Sequence, residues 1–304
     1  MLPINAKYPS DPGVKFKKDP EIRINIDASN PSWKRLCPRV VTCLDKTLRM
    51  YFMAHGNFCP PENRGLILSA RSNDGNEWLW DKGIRIGPHP SAKQRALAPD
   101  VVRLDDGSWR MYFEARNNGY SDVILSARSD DMLSWRIEPG FRVDKNIINA
   151  NVGTPNVVRL SNSHWRMYHH IYDVERYEII SAISEDGIHF EPEPGVRIAQ
   201  TSKFEGYSAY SPSVLRCESG SWRMYYSGWS EGPLVKGRIL SATSHDGLDW
   251  CKNNEPVLEP DRYEDSAHCS EPHCVRLPDG RWRLFYEAIS NDGTCRIMSA
   301  TADK

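Results

Sequence analysis

The sequence predicts an all-β chain folded as a five-bladed β-propeller, with four antiparallel strands per blade. Three observations predict it. Pro38, Pro99, Pro155, Pro212 and Pro272 each open a short apolar run (PRVV, PDVV, PNVV, PSVL, PHCV), at intervals of 61, 56, 57 and 60 residues. An aromatic residue follows each proline by thirteen positions, at Tyr51, Tyr112, Tyr168, Tyr225 and Phe285, and ends a near-constant phrase: LRMY, WRMY, WRMY, WRMY, WRLF. The last repeat stops short of a fourth strand, while a spare outer-strand phrase stands near the N-terminus. Self-similarity at a long fixed period marks a repeat architecture.

The second repeat shows the elements in order. Pro99 to Leu104 is a strand of β-branched residues, and Asp105-Asp106-Gly107 is a hairpin turn, because Asp-Gly supplies the positive φ such a turn needs. Ser108 to Ala115 is the second strand and Val123 to Arg128 the third. A polar turn at Ser129-Asp130-Asp131 leads to a broken outer strand, Trp135-Arg136-Ile137 with Phe141-Arg142-Val143. Four antiparallel strands repeated about an axis make a propeller blade. The third strands read alike (LILSARS, VILSARS, EIISAIS, RILSATS, RIMSATA), and the turns after four of them carry Asp and an aromatic (SNDGNEW, SDDMLSW, SEDGIHF, SHDGLDW). These turns resemble the aspartate boxes of sialidase-type propellers, one residue shorter, with the aromatic folding back onto its blade. Their expected role is structural.

The fifth repeat ends at Lys304, where its turn should begin. Ile22-Arg23-Ile24 matches the outer-strand phrases Ile84-Arg85-Ile86, Phe141-Arg142-Val143 and Val196-Arg197-Ile198. Residues 21–27 are therefore expected to pair with the last blade and remove its open edge. The repeats use nearly all the length, so residues 1–304 are read as one domain.

A net charge of −1 and the absence of any basic block argue against nucleic acid or anionic membrane as a partner. No apolar run approaches the roughly 18 residues a membrane span needs. The N-terminus has neither the basic region nor the apolar core of a signal peptide, and eight irregularly spaced cysteines read as buried, reduced thiols; both point to the cytoplasm.

Strict alternation would place the residues on both sides of each proline on one face, lining a central channel. Before the prolines stand Cys37, Ala98, Thr154, Ser211 and Glu271; after them Arg39, Asp100, Asn156, Ser213 and His273. The antiparallel second strand returns to the same rim. Two residues past its aromatic it carries Met53, Glu114, His170, Ser227 and Glu287; four past, His55, Arg116, Tyr172, Trp229 and Ile289. One mouth of the ring thus gathers carboxylates, imidazoles, guanidiniums and aromatics, while the opposite mouth carries plain turns. No cofactor is expected. The stretch from His268 to Cys274 has metal-ligating residue types, but alternation divides them between faces. A structural cation in the channel near His273 is the remaining candidate.

The repeat P-x-V-V…G-x-W-R-M-Y followed by I-L-S-A-x-S-x-D-G resembles the five-bladed propellers of the arabinanase, β-xylosidase, invertase and levansucrase clan. It is similar too to mannoside phosphorylases of that shape. The resemblance covers about residues 21–304. It implies a pocket at the channel mouth with carboxylates from different blades, just before the prolines of the first three. Those places hold Cys37, Ala98 and Gly153-Thr154 here. The carboxylates that remain are Asp100, after its proline, and Glu271, before the proline of the fifth repeat.

Glycoside cleavage needs a protonated acid on the leaving oxygen and a second carboxylate acting directly or through water. Asp100 and Glu271 are the expected pair, with Glu271 as the acid and Asp100 kept ionised by Arg95 and Arg116; Glu114 and His170 are further catalytic candidates. Arg39, His55, Arg116, Asn156, Tyr172, Tyr207, Trp229, His273 and Glu287 are expected to bind a small-molecule or oligosaccharide substrate, with sugar rings stacking on Tyr172, Tyr207, Tyr210 and Trp229. Two alternatives stand beside this reading. One is acid–base chemistry other than hydrolysis on a small molecule, by a lyase, cyclase or isomerase. The other is a sugar-binding propeller without catalysis.

Overall fold

The computed structural model describes residues 10–25, 34–55, 65–87, 95–116, 122–143, 150–161, 164–230 and 236–302. Every regular element among them is a strand. β1 (Phe16–Lys18) precedes a series of meanders of one plan. β2 (Lys34–Thr42), β3 (Leu48–His55), β4 (Leu66–Ser72) and β5 (Leu79–Trp80) form a four-stranded antiparallel sheet. β6 (Ala96–Arg103), β7 (Trp109–Arg116), β8 (Asp122–Ser129) and β9 (Arg136–Ile137) form the next. β10 (Asn151–Ser161), β11 (His164–Tyr172), β12 (Tyr177–Ser184) and β13 (Glu191–Pro192) form the third. β14 (Ser208–Arg216), β15 (Trp222–Trp229), β16 (Gly237–Ser244) and β17 (Cys251–Lys252) share an eight-stranded sheet with β18 (His268–Arg276), β19 (Trp282–Ile289), β20 (Cys295–Ala302) and β1. A parallel bridge between Gly237 and His268 joins the two halves of that sheet.

The core lies between sheets, and alternation in the second strands explains why. Met111, Phe113 and Ala115 of β7 pack in one cluster with Tyr51 of β3. Tyr112, one residue out of phase, packs in the next cluster with Val152, Trp165 and Met167. Each strand therefore contributes apolar side chains to both neighbours, and every sheet is buried on both faces. Hydrogen bonds staple the same junctions. The hydroxyls of Tyr51, Tyr112 and Tyr168 donate to the carbonyls of Met132, Gly187 and Gly247, in the polar turn of the next sheet, at 2.7–2.8 Å.

Those polar turns are held as expected by their aspartates. Asp186 Oδ1 accepts from the amides of Ile188 (2.7 Å) and His189 (2.8 Å), and Asp74, Asp131 and Asp246 repeat the pattern. The turn aromatics pack in clusters that hold residues of their own sheet and of the preceding one. Trp135, Phe190 and Trp250 meet Tyr51, Tyr112 and Tyr168 of the preceding sheet edge-on, with centroids 5.7–5.9 Å apart.

The N-terminal segment closes the last sheet, and more of it takes part than residues 21–27. β1 pairs antiparallel with β20, from Phe16–Ala302 to Lys18–Ala300. Ile24 then bridges Ile297, matching the bridges Ile86–Ile67, Val143–Ile124 and Ile198–Ile179. Ahead of the strand, Gly13 at φ 77° presents its carbonyl to the Tyr225 hydroxyl at 2.6 Å. Phe16 meets the Tyr225 ring edge-on at 5.6 Å. Gly13 and Phe16 thus stand in for Gly75 and Trp78 of the first sheet's turn, and Asp11 Oδ1 takes the place of Ser72 Oγ as acceptor of the glycine amide, at 2.8 Å. Regular closing pairing begins at Phe16, five residues before the expected start, and residues 26 and 27 lie outside the described residues. The seven described cysteines are all free thiols, but Cys43 is only partly buried and Cys251 is exposed, against the expectation of uniform burial.

Candidate active site

The innermost strands β2, β6, β10, β14 and β18 share one irregularity. Their register shifts between Leu36 and Arg39, Leu97 and Asp100, Gly153 and Asn156, Tyr210 and Ser213, and Ser270 and His273. Each shift is a bulge whose first residue is left-handed: Cys37, Ala98, Thr154, Ser211 and Glu271 have φ of 43–53°. A bulge re-aims side chains and breaks alternation. The residues on either side of each proline therefore go to two different places, not one face.

The residues after the prolines form a closed buried ring. Asp100 Oδ2 accepts from the Val157 amide (2.6 Å), Asn156 Oδ1 from the Val214 amide (2.8 Å) and Ser213 Oγ from the Cys274 amide (3.1 Å). His273 Nε2 donates to the Val40 carbonyl (2.9 Å). Arg39 completes the circuit, with Nε 3.7 Å from Asp100 and its terminal nitrogens on the carbonyls of Pro38, Pro272 and Pro212 at 3.1–3.3 Å. The Arg39 guanidinium is a positive charge in the neighbourhood of His273. Burial, and then the Arg39 charge, lower the His273 pKa to about 3.

Asp100 belongs to this ring and does not line a cavity. Its charged neighbour is Arg39, not Arg95 or Arg116. Burial raises its pKa against the pull of Arg39 and its hydrogen bonds. Asn156, Arg39 and His273 are likewise consumed by the ring.

Four of the five residues before the prolines open instead onto a cavity of about 200 Å³. Cys37, Ala98, Thr154 and Glu271 line it, with Met53, Arg95, Leu97, Glu114, His170, Tyr172, Tyr177 and Tyr210. Arg95 donates to Glu114 Oε1 (3.0 Å) and to Asp122 Oδ2 (2.8 Å). Arg116 holds Asp122 with two further bonds of 2.9 and 3.1 Å, and the Tyr172 hydroxyl donates to Asp122. Burial would raise the Asp122 pKa, but Arg116, Arg95 and Tyr172 outweigh it and hold the carboxyl below the usual range. Glu114 has the opposite balance. Burial, with the charges of Asp122 and Glu271 adding, pushes it up to about 7 against Arg95.

Three buried polar atoms of the cavity's lining residues lack hydrogen-bond partners among the described residues: Glu271 Oε2, His170 Nε2 and Arg95 Nε. His170 Nδ1 lies 2.6 Å from Thr154 Oγ1, which also accepts from the Ser211 amide at 3.1 Å. Burial depresses the imidazole to about 3, so it is neutral. Burial, then Glu271 and Glu287, drive the Cys37 thiol well above its ordinary value. Gly153 explains how Glu114 and His170 sit so close. A methyl there would lie 2.1 Å from Glu114 Oε2 and 2.7 Å from His170 Cε1.

The structure thus brings together Glu114, Glu271, His170 and Tyr172 of the expected residues. Arg116 reaches the cluster through Asp122. Glu287 accepts from the Ser270 hydroxyl at 3.0 Å, one step behind the cavity wall. Trp229 and Tyr207 lie beyond Tyr210, stacked on each other at 6.3 Å. The side chain of His55 is outside the described residues. The stretch His268–Cys274 gathers no ligand set: His268 stacks on Trp229 and His273 belongs to the ring. Sequence reasoning missed Asp122 and Tyr177 and misplaced Arg95. Register is the signal that finds the first two, since Asp122 pairs with Arg116 and Tyr177 with Tyr172 across adjacent strands.

No family model matches the chain. Two proteins of Mycobacterium tuberculosis, from strains CDC 1551 / Oshkosh and ATCC 25618 / H37Rv, are each 24% identical to it over 230 residues, 70% of this chain and 74% of theirs; both are described as uncharacterized. A solved glycoside hydrolase superposes with a TM-score of 0.77 at 14% identity, over 95% of this chain and 93% of its own. A structure from the family of mannoside phosphorylases that contains glycoside hydrolases targeting β-1,2 mannosidic linkages in Candida mannan gives 0.75 at 16%, over 100% and 98%. The endo-arabinase from Bacteroides thetaiotaomicron VPI-5482 gives 0.69 at 16%, over 93% and 98%. At such identities the likeness is one of fold: this chain has the propeller-like fold of these glycoside hydrolases. No helix among the described residues is long and apolar enough to cross a membrane.

Proposed function

We propose that the chain is a five-bladed propeller and a carbohydrate-active enzyme that cleaves or transfers a glycosidic bond by acid–base chemistry in the Glu114–Glu271 cavity. One observation carries the reading: two carboxyls from distant blades line one small cavity, and burial there raises the pKa of Glu114. Glu114, pushed up to about 7, holds a proton near neutrality and is the general acid. Glu271, with an oxygen that no described residue engages, is the second carboxylate. His170, neutral and fixed by Thr154, offers Nε2 to a substrate oxygen. The stacked pair Tyr172–Tyr177, centroids 5.3 Å apart, supplies a flat face for a sugar ring. Asp100 is assigned to the scaffold, and the pair expected from sequence becomes Glu114 with Glu271.

A panel of chromogenic furanosides and pyranosides tests this. Glu114→Gln and Glu271→Gln should each lower kcat/KM by about 10²–10⁴-fold without lowering the melting temperature. In the wild type, activity should fall as pH rises through about 7, where Glu114 loses its proton. Full activity in either variant sinks the assignment.

A further inference from the structure

We propose that Tyr207, Trp229 and His268 form a second sugar-binding site beside the cavity, so that the substrate is a disaccharide or a longer glycan. This rests on the reading of the cavity as a glycoside site and adds the length of its substrate.

The three rings form a fixed tier. Tyr207 donates its amide to the Trp229 carbonyl at 2.9 Å, which locks the two residues across the edge of β14 and β15. Their rings stack at 6.3 Å and 27°. Trp229 also stacks on His268, 4.5 Å away and parallel to within 2°. The imidazole is held in turn by the Gly237 amide, which donates to Nδ1 at 2.8 Å. Gly237 also makes room for the tier: a methyl there would fall 2.7 Å from Trp229 Nε1.

The tier has one open end. Tyr207 is 58% exposed, whereas the tyrosines that staple the sheets together are fully buried. An aromatic ring held rigidly by stacking and left open to solvent adds little to the core. It does present a flat apolar face with a hydroxyl at its edge, which suits the C–H face of a sugar ring. The tier is also continuous with the cavity. Tyr210 lines the cavity, lies 5.7 Å from Tyr177 and stands edge-on to Trp229 at 6.2 Å. The cavity's volume of about 200 Å³ is below the ~300 Å³ at which pockets for larger ligands begin, so it takes one ring and the next must lie outside. Tyr207 and Trp229 offer the adjoining aromatic surface.

Isothermal titration of the Glu114→Gln protein, which should bind without turnover, tests the proposal. The probes are mannose, xylose and arabinose, and β-1,2-mannobiose, xylobiose and arabinobiose. In the series that binds, the disaccharide should bind at least tenfold more tightly than its monosaccharide. Adding Tyr207→Ala should abolish that gain and leave the monosaccharide Kd within twofold, while Tyr207→Phe should keep most of it. A monosaccharide that binds as well as its disaccharide, or a gain that survives Tyr207→Ala, overturns the second site and leaves the cavity reading standing. Failure of every sugar to bind overturns both.

Discussion

The two residues that flank each proline of the inner strands share a chain segment but not a fate. The residues after the prolines close a ring: Asp100, Asn156, Ser213, His273 and Arg39 each reach a neighbouring inner strand, although Arg39 Nε and His273 Nδ1 have no hydrogen-bond partner among the described residues. The residues before the prolines are left-handed and border unsatisfied atoms, among them Glu271 Oε2 and Ser211 Oγ. Buried polar groups in folded proteins are nearly always paired, so an unpaired one asks for an explanation. Here the ring that links all five inner strands is an axle, and the left-handed residues before the prolines, four of which line the cavity, are the strained part of the same strands. Strained left-handed residues persist only where the surrounding structure over-determines them, and the axle beneath supplies that constraint.

The largest expected effect lies in the axle. Asp100→Ala strands the Arg39 charge, the Val157 amide and the Asn156 side chain in a buried site. Breaking a buried pair in this way should cost about 3–5 kcal/mol, read by urea unfolding. A loss below about 1 kcal/mol would erase the distinction between the two rings.

The cavity wall should respond in the opposite sense. The Glu114 pKa is raised from 4.5 to about 7 in the folded state, so the folded protein holds a proton that the unfolded chain releases. Its contribution is therefore full below about pH 4.5 and is lost as pH rises to about 7. Glu114→Gln, which cannot ionise, should be more stable than the wild type above pH 7, by about 1–3 kcal/mol. The gap should close as pH falls toward 5, although the variant is the less active protein. A melting temperature lower than wild type at pH 8 would place Glu114 with the axle instead. Gly153→Ala tests the same wall by crowding. Its methyl cannot coexist with the present Glu114 and His170, so stability should drop by about 1–3 kcal/mol. Displacing the acid should also cost turnover about 10²-fold.

Much of the scaffold is legible because repetition amplifies weak signals. One proline or one Trp-Arg-Met-Tyr phrase says little, but five at a near-constant spacing fix the strands, the hairpins and a closing N-terminal strand. The start of the closure was disguised: Ser10, Gly13 and Phe16 keep the spacing of Ser72, Gly75 and Trp78, but Pro12 replaces the aspartate of Asp-Gly. The site was half legible. Glu114, His170 and Tyr172 follow from simple alternation along β7 and β11, which are regular. Asp100 was expected at the channel mouth and lies in the ring instead, because alternation fails at the bulge, and no residue type announces it. Cys37, Ala98, Thr154, Ser211 and Glu271 are chemically unlike, yet all adopt the same left-handed conformation. Their common signal is the proline that follows, which read as a strand start and marks a bulge.

The smallest test isolates the contrast within one strand, on two copies of one residue type. Ser211 and Ser213 stand on either side of Pro212, and both are buried. Ser213 Oγ accepts from the Cys274 amide at 3.1 Å. Ser213→Ala leaves that amide unpaired and should cost about 1–3 kcal/mol. Ser211 Oγ has no partner among the described residues, and its φ is 51°. Ser211→Ala removes only the unsatisfied hydroxyl and should be neutral or stabilising by up to about 1 kcal/mol. Ser211→Gly also removes the left-handed strain, worth about 1–2 kcal/mol, but adds about 0.5–1 kcal/mol of chain entropy. It should therefore match or exceed Ser211→Ala in urea unfolding. Equal losses at Ser211 and Ser213 would mean that both hydroxyls serve the fold alike and that the two sides of this proline do not differ.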